Sequence, residues 1–379
     1  MRVKFGDVVV RANTKEDRFN TDKLYYVGGE HIETGEYLVT KRGLIAGSNI
    51  GPMFYFGFRK GQVLLASRSP DLKKAGMVTF DGICSEKTFV IETRDENILL
   101  QSFLPIIVRS EAFWEYANNN QSGSVNHFIN WSTFSAYEFD LPSLEEQRQL
   151  SEIVWAMVDA QRAYKALIVA SDELVKSQFI ERIGKGSYKA VPAGTVMYNM
   201  RNGVSPSKNG TYREKVLTLS AVTQGEFDAN AWKDGSFDEC PPPEKRITST
   251  DFYMCRGNGN KTLVGRGVIA PEDRPDLVFP DTVIAATIDT DRIMIPFLFY
   301  AWQQDTVRRQ IEIAARTTNG TYKINQAIIS GIDLILPPVE AQKGFIAFAS
   351  QLDKSKHSAQ KALEDLQATQ KALIRKYLG

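Results

Sequence analysis

Along the chain the spacing of apolar residues changes character twice, in the same way each time. Residues 62–66, 88–92 and 216–219 are short alternating runs set among Gly, Pro, Thr and aromatic residues, the pattern of strands between turns. Over 98–118 and 296–314 aliphatic and aromatic residues recur at three and four with Gln, Arg and Glu between, which predicts one helix in each stretch. After Leu141-Pro142, and again after Leu336-Pro337, long runs of good helix formers begin. Proline disfavours helix in the residue before it, so each Leu-Pro marks a boundary, with Ser143 and Pro338 as cap and first-turn residues.

In the first of these runs Leu150, Ile153, Met157, Ala160, Tyr164, Leu167, Ser171 and Leu174 alternate at three and four, the seam of a coiled coil. In the second, Phe345, Phe348, Leu352, Ser355, Ala359, Ala362, Leu366 and Thr369 do the same in phase, flanked by Leu363 and Leu373. One such stripe alone is equally a core helix of a single domain. Two in-register stripes of roughly 35 residues, about 50 Å each at 1.5 Å per residue, predict instead an antiparallel pair joining two domains. Small residues at Ala160, Ser171, Ser355, Ala359 and Ala362 would let the backbones approach.

The stripes belong to a larger duplication. His127-Phe128-Ile129-Asn130 followed by Leu141-Pro142-Ser143-Leu144-Glu145-Glu146-Gln147 recurs as Tyr322-Lys323-Ile324-Asn325 followed by Leu336-Pro337-Pro338-Val339-Glu340-Ala341-Gln342, an offset of 195. Upstream the offset slips as loop lengths change: Ala66-Ser67-Arg68-Ser69 faces Met254-Cys255-Arg256-Gly257 at 188, and Thr34-Gly35-Glu36-Tyr37 faces Gln224-Gly225-Glu226-Phe227 at 190. The chain is thus two tandem units, 1–184 and 185–379. The expected fold is α+β: two mixed, β-rich domains at 1–140 and 185–335, joined by long helices at 141–184 and 336–379 in an antiparallel coiled coil with pseudo-two-fold internal symmetry.

Length supports this division, since 379 residues suffice for two cores. The longest apolar runs fall far short of a membrane helix and no hydrophobic signal follows Met1, so a cytoplasmic protein without membrane partners is expected. Cys84, Cys240 and Cys255 are too scattered for a zinc site or disulfide framework and are expected as reduced core residues. A net charge of +1 points to no bulk nucleic-acid affinity, so any such surface must be a local cluster.

Catalytic signatures fail on inspection. The run Arg256-Gly-Asn-Gly-Asn-Lys261-Thr262 lacks the glycine spacing of a phosphate loop. Ser205-Pro-Ser-Lys208 has no S-D-N or K-T-G partner, and Asp71-Leu-Lys73 lacks the upstream acid of a metal-dependent nuclease. His31, His127 and His357 have no second ligand at helical or hairpin spacing. No S-adenosylmethionine loop or Asn/Asp-Pro-Pro-aromatic motif is present, and a non-catalytic chain is expected.

The doubled Leu-Pro-x-Leu-Glu-Glu-Gln-Arg entry into a heptad helix resembles the conserved regions of type I restriction-modification specificity (S, HsdS) subunits, and the likeness extends over the whole chain. Cys255-Arg256-Gly257-Asn258-Gly259, Leu263-Val264-Gly265-Arg266 and Phe279-Pro280-Asp281-Thr282 resemble a recurring pattern of their target-recognition domains. The resemblance implies that each domain reads one half of a bipartite double-stranded DNA target in the major groove, while the helices set the half-site spacing. It further implies docking of two methylation (M) subunits, with restriction (R) subunits as further partners. No cofactor is implied in this chain; S-adenosylmethionine, ATP and Mg would belong to the partner subunits. Three departures stand out. The chain is short for the family and starts without a lead-in segment, Ala341 replaces the second glutamate, and Arg68-Ser69-Pro70 is less typical than its Arg256 counterpart.

DNA-facing positions need Lys and Arg for phosphates and Arg, Lys, Asn or Gln for base edges. In the second domain the candidates are Arg256, Asn258, Asn260, Lys261 and Arg266, with Arg316, Thr318, Asn319, Lys323 and Gln326. In the first they are Arg59, Lys60, Arg68, Ser69, Lys73 and Lys74, with Asn126, His127 and Asn130. The rival reading is a protein-interaction scaffold with two binding domains on a coiled-coil stalk, which near-neutral charge favours and the doubled helix entry disfavours.

Overall fold

The computed structural model describes residues 1–123, 126–318 and 320–379. They form two compact units, Met1–Leu167 with Ala359–Gly379, and Ile168–Ser358. Two long helices, Leu144–Phe179 and Val339–Leu378, each contribute one part to either unit. Each unit is therefore a mixed, β-rich domain together with a stretch of both helices.

In the first unit a five-stranded sheet runs in the order Val9–Ala12, Thr88–Thr93, Val63–Ala66, Ala75–Val78, Leu38–Val39. A four-stranded sheet follows the order Gly43–Leu44, Tyr25–Val27, Gly82–Ser85, Phe54–Phe58. Successive side chains of a strand alternate between faces. Val63, Leu65, Phe89 and Ile91 accordingly pack with the short helices and the long-helix stretches, while Leu64 and Val90 pack with Val27, Phe56 and Cys84 of the second sheet. The second unit repeats this division. Phe252, Met254, Ile284 and Ala286 face the helices, and Tyr253, Cys255, Val283 and Ala285 pack with Leu217, Ile247 and Leu277. Val63–Ala66 and Phe89–Ile91 are buried at every position, so these strands are continuous apolar runs covered on both faces and not the alternating runs expected.

The entry into each long helix is built alike. Arg2–Lys4 pairs with Glu138–Asp140 just before Leu141, and Ala190–Pro192 pairs with Asp333–Ile335 just before Leu336. Inside the sheets the repeat carries one correction. Thr88 faces Ala66 and Val283 faces Cys255, so the first-unit strand matches its counterpart at 189, not 188. The backbone bonds agree. Ser67 N–H donates to Lys87 O at 2.8 Å as Arg256 N–H donates to Thr282 O at 2.8 Å, and Ile129 N–H reaches Ser67 O as Ile324 N–H reaches Arg256 O. Arg256 is thus the counterpart of Ser67, and Arg68 that of Gly257. Since neighbouring side chains in extended backbone point to opposite faces, the two arginines occupy different sites.

Each helix predicted at 98–118 and 296–314 is two shorter ones, Leu104–Ile107 with Glu111–Asn119 and Ile295–Trp302 with Asp305–Ala314. The first break falls at Ser110, whose hydroxyl caps the second helix by accepting the Phe113 N–H. The second falls at Gln303-Gln304, polar residues between two apolar faces.

The long helices pack against each other in both units. Leu150, Val154 and Val158 share a core with Ile374 and Leu378 in the first; Val175 and Phe179 share one with Phe345 and Ala349 in the second. There Asp172 pairs with Lys356 at 2.7 Å and the Phe179 ring meets Phe345 at 5.2 Å, rising numbers against falling ones, so the packing is antiparallel.

The seam is not quite the expected stripe. Leu150 and Phe345 are buried, and Met157, Tyr164, Phe348, Leu352 and Leu366 are half-buried, but Ile153, Leu167 and Leu174 are 46%, 47% and 43% exposed. Ser171 is buried as expected, but Val154, Val158, Gln161 and Val175 turn inward one residue beyond the expected Ile153, Met157, Ala160 and Leu174. Cys84 and Cys255 are buried, whereas Cys240 is exposed beside Pro241-Pro242-Pro243, contrary to an all-core expectation. Among the described residues no helix is long and apolar enough to cross a membrane.

Candidate nucleic-acid interface

In the second unit the two candidate clusters, about sixty residues apart in sequence, meet in one small sheet. Gly257–Asn258 pairs with Thr321–Lys323, which pairs with Arg316–Thr318. Arg316 lies directly opposite Lys323, so two cations share one face of the hairpin. Lys261 stands 5.7 Å from the centre of the Tyr322 ring. Gln326 opens the short helix after this sheet, capped by Asn325, whose side chain accepts the Ile328 N–H at 2.9 Å. Thr318 closes the hairpin strand, while Asn319 lies outside the described residues.

The loop between these elements is self-ordered. Asn258 Oδ1 accepts the Asn260 N–H at 2.9 Å, and Asn260 Oδ1 accepts both the N–H and the hydroxyl of Thr262. Both amides therefore spend their carbonyl oxygen on the loop, and the Asn258 side chain also bonds the buried Cys255 thiol. Arg266 is exposed and donates from Nε to Thr262 O at 3.3 Å. Arg256 is tied to Asp281 at 2.7 Å. Burial raises the thiol of the adjoining Cys255 to about 11, which makes it a packing residue and not a nucleophile.

In the first unit Arg68 bridges to Phe128, and Ser69 N–H donates to His127 O at 3.1 Å. These contacts gather Arg68, Ser69, Asn126, His127 and Asn130 at one edge. Ser69 and Lys73 flank the turn Pro70–Leu72 with φ of 51° and 49°, so Lys73 is carried on a tight, left-handed corner. The neighbouring Lys74 accepts the Ala66 N–H through its carbonyl, extending the sheet beside Arg68. Arg59 and Lys60 do not join the cluster. They precede the strand Val63–Ala66 while Arg68 follows it, so roughly 3.3 Å per residue of extended chain separates them. Arg59 lies 3.5 Å from Glu92 instead.

Beside Arg68 and Asn130 lies a cavity of about 330 Å³ that also holds Arg11, Glu86, Lys87 and Phe89. Arg11 stacks on the rings of Phe56 and Phe89, at 5.1 and 4.7 Å. Glu86 is held below the usual carboxylate range by its bond to Lys87, with help from the Tyr55 hydroxyl and the charge of Arg68. Arg11, Lys87 and Glu86 were not candidates from sequence. The 195 offset that links Glu86 to Asp281 was the available signal for the carboxylates, but acidic residues are discounted when a DNA face is sought.

Among the described residues no group of three or more His, Cys, Asp or Glu could hold a metal ion. His31 accepts the Gly28 N–H at 2.9 Å, the role of a turn residue.

No family model matches the sequence. A specificity subunit of the type I restriction enzyme StySPI from Salmonella potsdam is 22% identical over 328 residues, covering 78% of this chain and 69% of that one. The solved S subunit of a type I restriction-modification system from M. genitalium superposes with a TM-score of 0.61 at 12% identity, over 100% of this chain and 96% of that one. A chain from a structure on complex assembly and conformational transition of a type I R-M system gives 0.56 at 18% identity, with 100% and 96% coverage.

Proposed function

From the chain's homology to type I restriction-modification specificity subunits, we propose that it is the non-catalytic, DNA-reading subunit of such an enzyme. The domains at 1–140 and 185–335 each read one half of a bipartite double-stranded target, and the helices at 141–184 and 336–379 set the distance between the halves. Two methylation subunits dock on the helices and bring S-adenosylmethionine and adenine chemistry; restriction subunits bring ATP and Mg. The assembly works in the cytoplasm.

The observation that carries this reading is one backbone frame bearing different side chains. At matched positions the first domain has Ser67, Arg68, Glu86 and Phe128 where the second has Arg256, Gly257, Asp281 and Lys323. Two readers of one design with different specificities need the same frame and different base-facing groups. Docking has its own support. Val169, Leu174 and Ile180 of the second unit are apolar and exposed on the first long helix and its last turn. Such a surface suits a further helix.

A gel-shift titration of the full chain, alone and with adenine methyltransferase subunits of this class, tests the reading. Retardation of duplex DNA that weakens steeply with salt is expected, because bound phosphates release counterions. A net charge of +1 favours the scaffold reading, and a chain that captures a protein partner yet leaves DNA unshifted in both arms would establish it.

A further inference from the structure

Arg256 stands at the end of the buried strand Asp251–Cys255, and its guanidinium is held by one edge. Nη1 donates to Asp281 Oδ2 at 2.7 Å and to the Asp281 carbonyl at 3.2 Å. Asp281 is itself fixed. Its N–H donates to Val204 O at 3.0 Å and its Oδ1 accepts from Asn202 Nδ2 at 3.4 Å, while Gln326 Nε2 reaches Asn202 Oδ1 at 3.5 Å. Between Asn202 and Val204 no side chain fits, since a Cβ on Gly203 would stand 2.0 Å from the Phe279 carbonyl oxygen. The segments on either side of the carboxylate are therefore locked together.

Among the described residues Nε and Nη2 of Arg256 make no hydrogen bond, and the side chain is 31% exposed. Two coplanar N–H donors on one open edge form the fork that guanine O6 and N7 accept. A free arginine would have to lose rotamer entropy to present that fork. An acid on a DNA-facing surface repels phosphate, so Asp281 makes electrostatic sense only if it orients a cation.

We propose that Asp281 is a positioning residue for base reading: it clamps Nη1 of Arg256 so that the Nε and Nη2 edge selects guanine at one position of the second domain's half-site. The inference rests on the DNA-reading function proposed above. It assigns the preference to one half only, because the first domain has Ser67 at the matched place and its Glu86 is engaged by Lys87 and Tyr55.

The test is selection of bound sequences from a randomised duplex library by the full chain in its DNA-binding assembly, comparing wild type with Asp281→Ala, Asp281→Asn and Arg256→Ala. Wild type should enrich guanine at the position that Arg256→Ala randomises. Asp281→Ala should cut that preference on the order of tenfold, leaving the other positions and the melting temperature in place, and Asp281→Asn, which keeps an acceptor, should retain part of it. Unchanged guanine preference in Asp281→Ala, or loss spread over both half-sites, would overturn the assignment while leaving the DNA-reading function standing. A wild-type chain without any sequence preference would overturn that function and this inference with it.

Discussion

The buried side chain of Gln147 accepts the backbone N–H of Leu100 at 3.0 Å and donates to the carbonyls of Ile98 and Pro142, both at 2.9 Å. Gln342 repeats the bond set: it accepts from Met294 at 2.8 Å and donates to Arg292 and Pro337 at 2.9 Å. The glutamine of the doubled Leu-Pro helix entry is thus a joint between each domain and the start of its long helix. Both amide hydrogens and the carbonyl are used, as full burial requires.

Replacing Gln147 with Leu leaves an N–H and two carbonyls without this partner, at roughly 1–3 kcal/mol for each group that water cannot reach. We expect denaturant unfolding of Gln147→Leu to show the first unit destabilised by several kcal/mol, and Gln342→Leu to do the same to the second. A change below about 0.5 kcal/mol in both would mean the joint is not structural.

A second polar layer lies in the helix pair of the first unit. Gln161 Nε2 donates to Gln370 Oε1 at 3.0 Å, and Gln370 Nε2 reaches the Val154 carbonyl at 3.4 Å, all buried. A polar pair in an apolar seam fixes register at a cost in stability. Gln161→Leu alone should destabilise by about 1–3 kcal/mol by stranding Gln370. The double Leu variant should recover most of that loss, a coupling that a double-mutant cycle measures.

These glutamines also explain what the amino-acid pattern conceals. The duplication, the two β-rich domains and both long helices were legible because repeated motifs and 3.5-residue periodicity are statements about whole segments. The phase was not, because Ile153, Leu167 and Leu174 are as apolar as the residues that are buried. The structure instead buries Val154, Val158 and Val175 with Gln161, whose polar atoms are satisfied inside the seam. The site shows the same limit. Arg68 and Arg256 look alike in sequence, and only the strand register reveals that Ser67 is the true counterpart of Arg256. The candidates at Arg256 and Lys323 were identifiable by charge, whereas Asp281 was hidden by having the wrong sign.

Acid should find a specific target in the second domain. Arg274 beside Asp276 holds its carboxyl down at about 2, from an ordinary value of 3.8. A depressed carboxyl contributes stability above its unfolded pKa, and that contribution is lost as pH falls from about 4 through about 2. NMR titration of Asp276 should give a midpoint near 2, and Arg274→Ala should raise it toward 3.8. A midpoint unmoved by that substitution would assign the shift to another cause.

If, as proposed, two separate readers are kept apart by rods, lengthening the rods must move their targets apart. Selection from a randomised duplex library should return two short sequence blocks with a constant gap for the wild-type assembly. A seven-residue insertion in the middle of both long helices adds about 10 Å of helix, which corresponds to about three base pairs. We predict that both blocks persist and that the gap widens by about that amount. An unchanged gap, or one uninterrupted block in either protein, would show that the helices do not set the spacing.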